Sequence, residues 1–191
     1  MNKSFNQIKS CFAAALQALV VISLMTFAAS AQNAIKTGKN SLSFSTQVMF
    51  GAQKNNLSIV VSTDFNGDYS MEGINKATWT DITKMFELAD SKEWKKSGEA
   101  DISALIASGK PFYVGLKYIG NKSSVGPTQK MWGINEMYFN GKELPSADWK
   151  IVNDPNNFEG SGYFRPKAGG IVFKSNLSII RSESWGIVKV I

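Results

Sequence analysis

Four aspartates in this sequence could do carboxylate chemistry: Asp64, Asp68, Asp81 and Asp101. Glycoside hydrolysis uses two carboxylates that flank a sugar bond, and the two must lie ~5 to 10 Å apart. All four aspartates, however, lie in stretches rich in Gly, Thr and Ser, which are typical of turns and strand ends. Nothing in the sequence shows that any two of them converge, so turns are the favoured interpretation.

One short run could bind a metal ion. Asp64, Asn66 and Asp68 place oxygen atoms at every second position, and Gly67 stands where a tight turn needs a glycine. Such spacing could bind Ca²⁺, as the first half of an EF-hand loop does. The alternative is a plain Asx turn that caps a strand, and the lack of a later bidentate acid favours that alternative.

Tryptophans could provide flat surfaces on which sugar rings stack. In a domain of this size most of them belong to the core, and Trp79 and Trp132 lie in strand-like patterns that predict burial. Trp94, between Glu93 and Lys95, is the best candidate for an exposed ligand-binding residue, and Trp149 is the second candidate.

The first 31 residues have the order of a secretory signal peptide. Met1 to Phe12 carries two lysines and no acid, Ala13 to Phe27 is almost wholly apolar, and Ala29-Ser30-Ala31 is a small-x-small cleavage site. The apolar run is shorter than the roughly 20 residues that span a bilayer. We therefore expect export to the periplasm, outer surface or exterior, with no stable transmembrane segment after cleavage.

Cleavage after Ala31 would remove Cys11, the only cysteine, and the sequence contains no histidine. Thiol nucleophiles, disulfides, Cys or His zinc sites and Ser-His-Asp relays are then excluded within the mature chain. Any acid-base chemistry would have to come from carboxylates, Lys or Tyr. The composition therefore predicts a protein that is not an enzyme and has no certain cofactor.

The positive charge is mild and spread out. The formal net charge is +6, and its densest cluster, Lys92 to Lys96, is interrupted by Glu93. Such a balance mainly favours solubility. A nucleic-acid-binding protein would instead show a basic stripe with interleaved aromatic residues, so we expect no nucleic-acid partner.

The elements that must position these residues are predicted to be strands. Residues 32–40 read as a flexible leading segment, and residues 41–191 as one domain. Residues 41–48 and Leu57 to Thr63 alternate between apolar and polar with the period of a half-buried strand. The two runs are predicted to form an antiparallel pair, whereas the charged stretch Ala89 to Ala100 is predicted to be solvated.

The second half of the chain continues the strand pattern. Phe112 to Ile119 is a strong strand, and Trp132 to Phe139 is another, with a β-bulge at Asn135-Glu136. Asn140-Gly141 is the dipeptide preferred in a type I′ turn. The chain stops on Ile191 inside an apolar run, which favours a domain cut short at its C-terminus.

Several segments together resemble a known group of proteins. They are Leu42-Ser43-Phe44, Val61 to Asp68, Ala77 to Thr83, Ser97 to Ser103, Phe112 to Tyr118, Trp149 to Val152 and Ser182 to Lys189. In this order they resemble a domain-of-unknown-function family of secreted and outer-membrane Bacteroidetes proteins. The resemblance implies an all-β, antiparallel, jelly-roll-like β-sandwich akin to cleaved-adhesin and choice-of-anchor domains, and it covers about residues 40–191.

The resemblance and the missing His and Cys favour binding over catalysis. The expected function is a secreted or cell-surface binding module for a glycan or another cell-envelope component, with the glycan chosen by analogy. One alternative is a structural or adhesive spacer that binds no small ligand. The other is a carboxylate-based glycan hydrolase, which needs two acids in one cleft.

Overall fold

The computed structural model describes residues 40–106, 110–123, 127–156, 162–165, 170–174 and 180–190. The predicted signal peptide and the leading segment up to residue 39 lie outside these ranges. None of the helices in the described part has the length and apolar character that crossing a membrane requires.

The described chain is built from strands and short helical turns. One α-helix, α1, spans Met71–Lys76, and three 3-10 turns span Thr83–Met85, Ser103–Leu105 and Ser146–Asp148. The strands are β1 Ser41–Phe50, β2 Leu57–Ser62, β3 Thr80–Asp81, β4 Lys95–Asp101, β5 Phe112–Gly120, β6 Met131–Phe139, β7 Lys142–Glu143, β8 Lys150–Asn153, β9 Gly162–Arg165, β10 Gly170–Phe173 and β11 Ser182–Val190.

These strands form two antiparallel sheets. The first sheet has the order β4-β1-β6-β10-β9, with β7 also paired to β6, and the second has the order β3-β2-β5-β11-β8. The chain crosses repeatedly between the sheets, as it does in jelly rolls. The prediction of an all-β antiparallel sandwich is confirmed.

One core lies between the sheets. Leu42 and Phe44 from the first sheet share a buried cluster with Ile59 and Val114 from the second. Ring contacts bridge the layers: the centroids of Phe112 and Phe139 are 5.3 Å apart. Because the apolar positions of β1 turn inward to this core, its serines turn outward, which matters for the site described below.

The predicted pairing of β1 with β2 is wrong. β1 pairs with β4 and β6, whereas β2 pairs with β3 and β5 in the other sheet. Residues 51–56 carry the chain across, and the amides of Ala52 and Gln53 donate to the carbonyl oxygen of Thr128 on the way. Alternation shows which face of a strand is buried and says nothing about its partner.

The predicted features of β6 are confirmed. Its register against β1 shifts between the pairs Ser43–Tyr138 and Ser45–Asn135, and Glu136 in the shifted stretch has φ +50. Asn140 and Gly141 both have positive φ, as a type I′ turn requires. The bulge changes the direction of Glu136 and leaves the residues on both sides in the sheet.

A second apolar cluster covers part of the outer face of the second sheet. Phe65 and Ile74, from the segment between β2 and β3, pack there against Val60, Trp185 and Ile187. Ser70 caps α1 in this segment by accepting a hydrogen bond from the amide of Gly73 at 3.0 Å. The outer face of this sheet is therefore partly covered by α1.

Candidate functional site

The four candidate aspartates each accept hydrogen bonds from nearby turns. Oδ1 of Asp64 accepts from the amide of Thr78 at 2.9 Å, and Oδ1 of Asp81 accepts from the amide of Thr83 at 2.8 Å. Asp68 and Asp101 accept in the same way from the amides two residues ahead. Asp68, Asp81 and Asp101 therefore cap local turns, whereas Asp64 bonds across the segment that leads from β2 to β3.

Hydrogen bonding changes the acidity of three of these carboxyl groups. The Ser62 hydroxyl, with help from Thr78, lowers the pKa of Asp64 from its ordinary value of 3.8. The backbone of Ser70 lowers the pKa of Asp68, and hydrogen bonding to Ser103, whose amide donates at 2.8 Å, lowers the pKa of Asp101. Donors to a carboxylate favour its charged form, so these groups are anionic acceptors and poor proton donors at neutral pH.

The Ca²⁺ hypothesis concerns a loop whose oxygens already serve the turn. Oδ1 of Asn66 accepts from the amide of Asp68 at 3.0 Å, beside the Asp64 and Asp68 contacts described above. Within the described residues, no group of three or more His, Cys, Asp or Glu side chains is placed to hold a metal ion. A bound Ca²⁺ ion and a plain Asx turn are the two hypotheses for this loop, and one experiment distinguishes them.

Thermal melting in excess Ca²⁺ and in chelator distinguishes a Ca²⁺ site from a plain turn. Since the turn uses its side-chain oxygens as hydrogen-bond acceptors, we expect the two melting midpoints to coincide. A ligand that binds only the folded state raises its stability in proportion to the logarithm of ligand concentration. A midpoint several degrees higher in Ca²⁺ would therefore show that the folded protein binds the ion and would favour the Ca²⁺ hypothesis for Asp64, Asn66 and Asp68 over the plain turn.

Trp149 is placed in the core. Only 8% of its surface is exposed, and it belongs to the buried cluster between the sheets. The 3-10 turn Ser146–Asp148 directly precedes it, and the amide of Trp149 donates back to the carbonyl oxygen of Ser146. Its selection as a ligand-binding residue is therefore corrected: a buried indole presents no face to a sugar.

Trp94 is exposed, and it lies against the outer face of the first sheet. Its surface is 43% exposed. Its Cη2 atom is 3.3 Å from the position that a Cβ on Gly133 would occupy, and the Gln47 side chain is 3.0 Å from that position. The absence of a side chain at Gly133 gives the indole room to lie on the sheet.

A polar groove lies on the same sheet as this indole. It has a volume of about 400 Å³ and is lined by β1, β4 and β6 through Ser43, Phe44, Ser45, Lys96, Gly98, Glu136 and Tyr138. The groove exists because β1 presents small serines between longer side chains: Ser45 pairs with Lys96, and Ser43 with Tyr138. We call this surface, together with Trp94, the first-sheet groove.

Register places the indole next to the groove. Gln47 pairs with Gly133 in the row beneath Trp94, and Ser45 pairs with Asn135 in the next row. Residues two apart on a strand share a face and are separated by about 7 Å. Trp94 therefore lies on the same face of the first sheet as the groove, about one row of side chains away from Ser45.

The groove offers both hydrogen-bond donors and acceptors. The Ser45 hydroxyl donates to Oε2 of Glu136 at 2.8 Å, which fixes the bulged carboxylate over β1. Lys96 is exposed and forms no ion pair with another described residue. An ammonium, a carboxylate, a phenol and hydroxyls beside an apolar ring can satisfy a ligand that carries many hydroxyl groups.

From the sequence, Trp94 is a candidate, but the residues that line the groove are not predicted. The available signal is the polar half of the β1 alternation, which consists of Ser41, Ser43, Ser45 and Gln47. A run of small polar residues in a central strand leaves a furrow on a sheet. The side chains that border this furrow come from β4 and β6, so they can be predicted only if the pairing of β1 with these strands is known.

The fold and this site define a class: an all-β sandwich domain that presents an exposed indole beside a polar groove. The chain belongs to the family described as a domain of unknown function (DUF5017), whose model matches residues 26–154. The matched segment contains β1 to β8, and with them the first-sheet groove. No curated protein and no solved structure matches the chain.

Proposed function

We propose that this domain is a non-catalytic binding module of the cell surface, and that its ligand is a glycan. The observation that carries the proposal is the exposed indole of Trp94 on the same sheet face as a groove lined partly by serines. Sugars present an apolar CH face and a rim of hydroxyls. The indole can stack on the CH face, and the polar side chains of the groove can form hydrogen bonds with the hydroxyl groups.

The side chains that line the groove also favour binding over hydrolysis. Among the described residues that line it, Glu136 supplies the carboxylate, and Ser45 holds that carboxylate through a hydrogen bond. A hydrolase would need a second acid across the sugar bond. The signal-like N-terminal sequence and the resemblance to adhesin-like modules support a location at the bacterial surface.

A panel of neutral oligosaccharides tests the proposal. We expect calorimetry with cello-, xylo-, manno-, laminari- and maltohexaose to give saturable binding with at least one of the five. Incubation with the bound sugar should leave its chain length unchanged, whereas shorter products would establish hydrolysis. If the folded protein binds none of these sugars and gives no hit on a wider glycan array, the spacer alternative is favoured.

A further inference from the structure

The second sheet carries its own depression on its outer face, on the far side of the sandwich from the first-sheet groove. It has a volume of about 390 Å³ and lies beside α1. Trp79 and Trp185 form part of its lining, and Asn75, Asp81 and Lys117 also reach it. The two indoles are in contact, with ring centroids 5.2 Å apart.

Lys117 places a positive charge in this depression. It lies on β5 in register with Ser58 on one side and Trp185 on the other. Its Nζ is 5.0 Å from the centroid of the Trp185 ring, and it forms no ion pair within the described chain. An aromatic face attracts an ammonium and positions it, but it does not neutralise the charge.

The depression continues across β2. An adjoining depression of about 440 Å³ shares Ser58 and Asp81 with it and is lined further on by Lys84. Together they form a groove, the second-sheet groove, that has a lysine in each half. Asp81 lies in the shared part, where the amide of Thr83 fixes its carboxylate at 2.8 Å.

We propose that the second-sheet groove binds an acidic oligosaccharide, with a sugar carboxylate paired to Lys117. Two lysines against one carboxylate give the groove a net positive charge, which favours an anionic ligand over a neutral one. Asn75 and Asp81 would then bind hydroxyl groups. This second site goes beyond the proposed function, since it lies on the other sheet and selects by charge.

Trigalacturonate is the probe for this site. We expect it to bind the wild-type protein at low salt and to change tryptophan fluorescence, because Trp79 and Trp185 line the groove. Lys117→Gln should weaken binding by about tenfold, the usual effect of losing a hydrogen bond to a charged group. Lys117→Arg keeps the charge and should retain most of the affinity.

Two control variants place the binding event on one sheet. Lys142→Gln removes an exposed lysine from β7 in the first sheet and should leave trigalacturonate binding unchanged, as should Trp94→Ala. Equal affinity in wild type and Lys117→Gln would overturn the proposal, and so would the absence of any binding. Loss of trigalacturonate binding in Trp94→Ala would move that ligand to the first-sheet groove. The neutral panel does not depend on Lys117, so the two proposals fail separately.

Discussion

Trp94→Ala is expected to weaken binding of a neutral oligosaccharide by about 30-fold or more. A central aromatic contact in a binding site commonly contributes at least ~2 kcal/mol, and each 1.4 kcal/mol changes the dissociation constant about tenfold. The indole is exposed on the first sheet and is the large apolar surface beside the groove. Calorimetry of wild type and variant with the tightest-binding sugar of the panel measures the effect.

Met85→Ala is the matched control for this variant. Met85 is 45% exposed, nearly the same fraction as Trp94, and it lies in the 3-10 turn after β3. Its removal takes away an exposed apolar side chain that is not among the residues lining the groove, so sugar affinity should be unchanged. Equal affinity in Trp94→Ala and wild type would contradict the role of the indole.

Trp185→Ala is expected to destabilise the fold by about 3–5 kcal/mol, the usual cost of truncating a buried tryptophan. Trp185 is 1% exposed and packs with Ile74 and Val60 under α1. Its Nε1 also donates to Oε1 of Glu183 at 3.1 Å, and Glu183 is itself buried. Truncation therefore removes a large apolar contact and one partner of a buried carboxylate.

Urea unfolding measures this loss, and Trp185→Phe separates its two causes. The phenylalanine keeps most of the buried apolar area and loses the indole donor, so it should cost clearly less than alanine. Trp94→Ala, at an exposed position, should cost about 1 kcal/mol or less. A Trp185→Ala protein as stable as wild type would show that the outer cluster of the second sheet contributes little to folding.

The sequence is sufficient to predict which face of a strand is buried, but it is insufficient to predict which strand pairs with it. In β1 the alternation correctly places Leu42, Phe44 and Val48 in the core, although the polar Ser41 and Ser45 are buried as well. The partner strand depends on packing between sheets and on the path of the connection, which local periodicity does not encode. For this reason the sequence pattern predicts a β1–β2 pair, although the two strands lie in different sheets.

The strand β4, Lys95–Asp101, shows why a real strand can lack a visible pattern. Most of it belongs to the charged stretch Ala89 to Ala100, which the sequence predicts to be solvated. In the structure it is an edge strand with a register shift against β1, and Gly98 has φ +75 there. The irregularity interrupts the period of two, and charged residues are normal on an edge.

The two candidate tryptophans show the same limit for the site. Both are flanked by charged residues: Trp94 by Glu93 and Lys95, and Trp149 by Asp148 and Lys150. The Trp94 indole lies on the outer face of the first sheet, whereas the Trp149 indole, after its 3-10 turn, lies in the core between the sheets. Flanking charges report the exposure of the neighbouring side chains, and the direction of the indole depends on backbone geometry.

A titration followed by ¹H–¹⁵N NMR tests the central claim most directly. The tightest-binding neutral sugar of the panel is added to the labelled protein, and shifts are mapped on both sheets. We predict the largest changes at the Trp94 indole N–H and at the amides of Ser43, Ser45, Lys96 and Tyr138. Changes confined to the surroundings of Trp79 and Lys117, or the absence of saturable changes, would contradict a glycan site in the first-sheet groove.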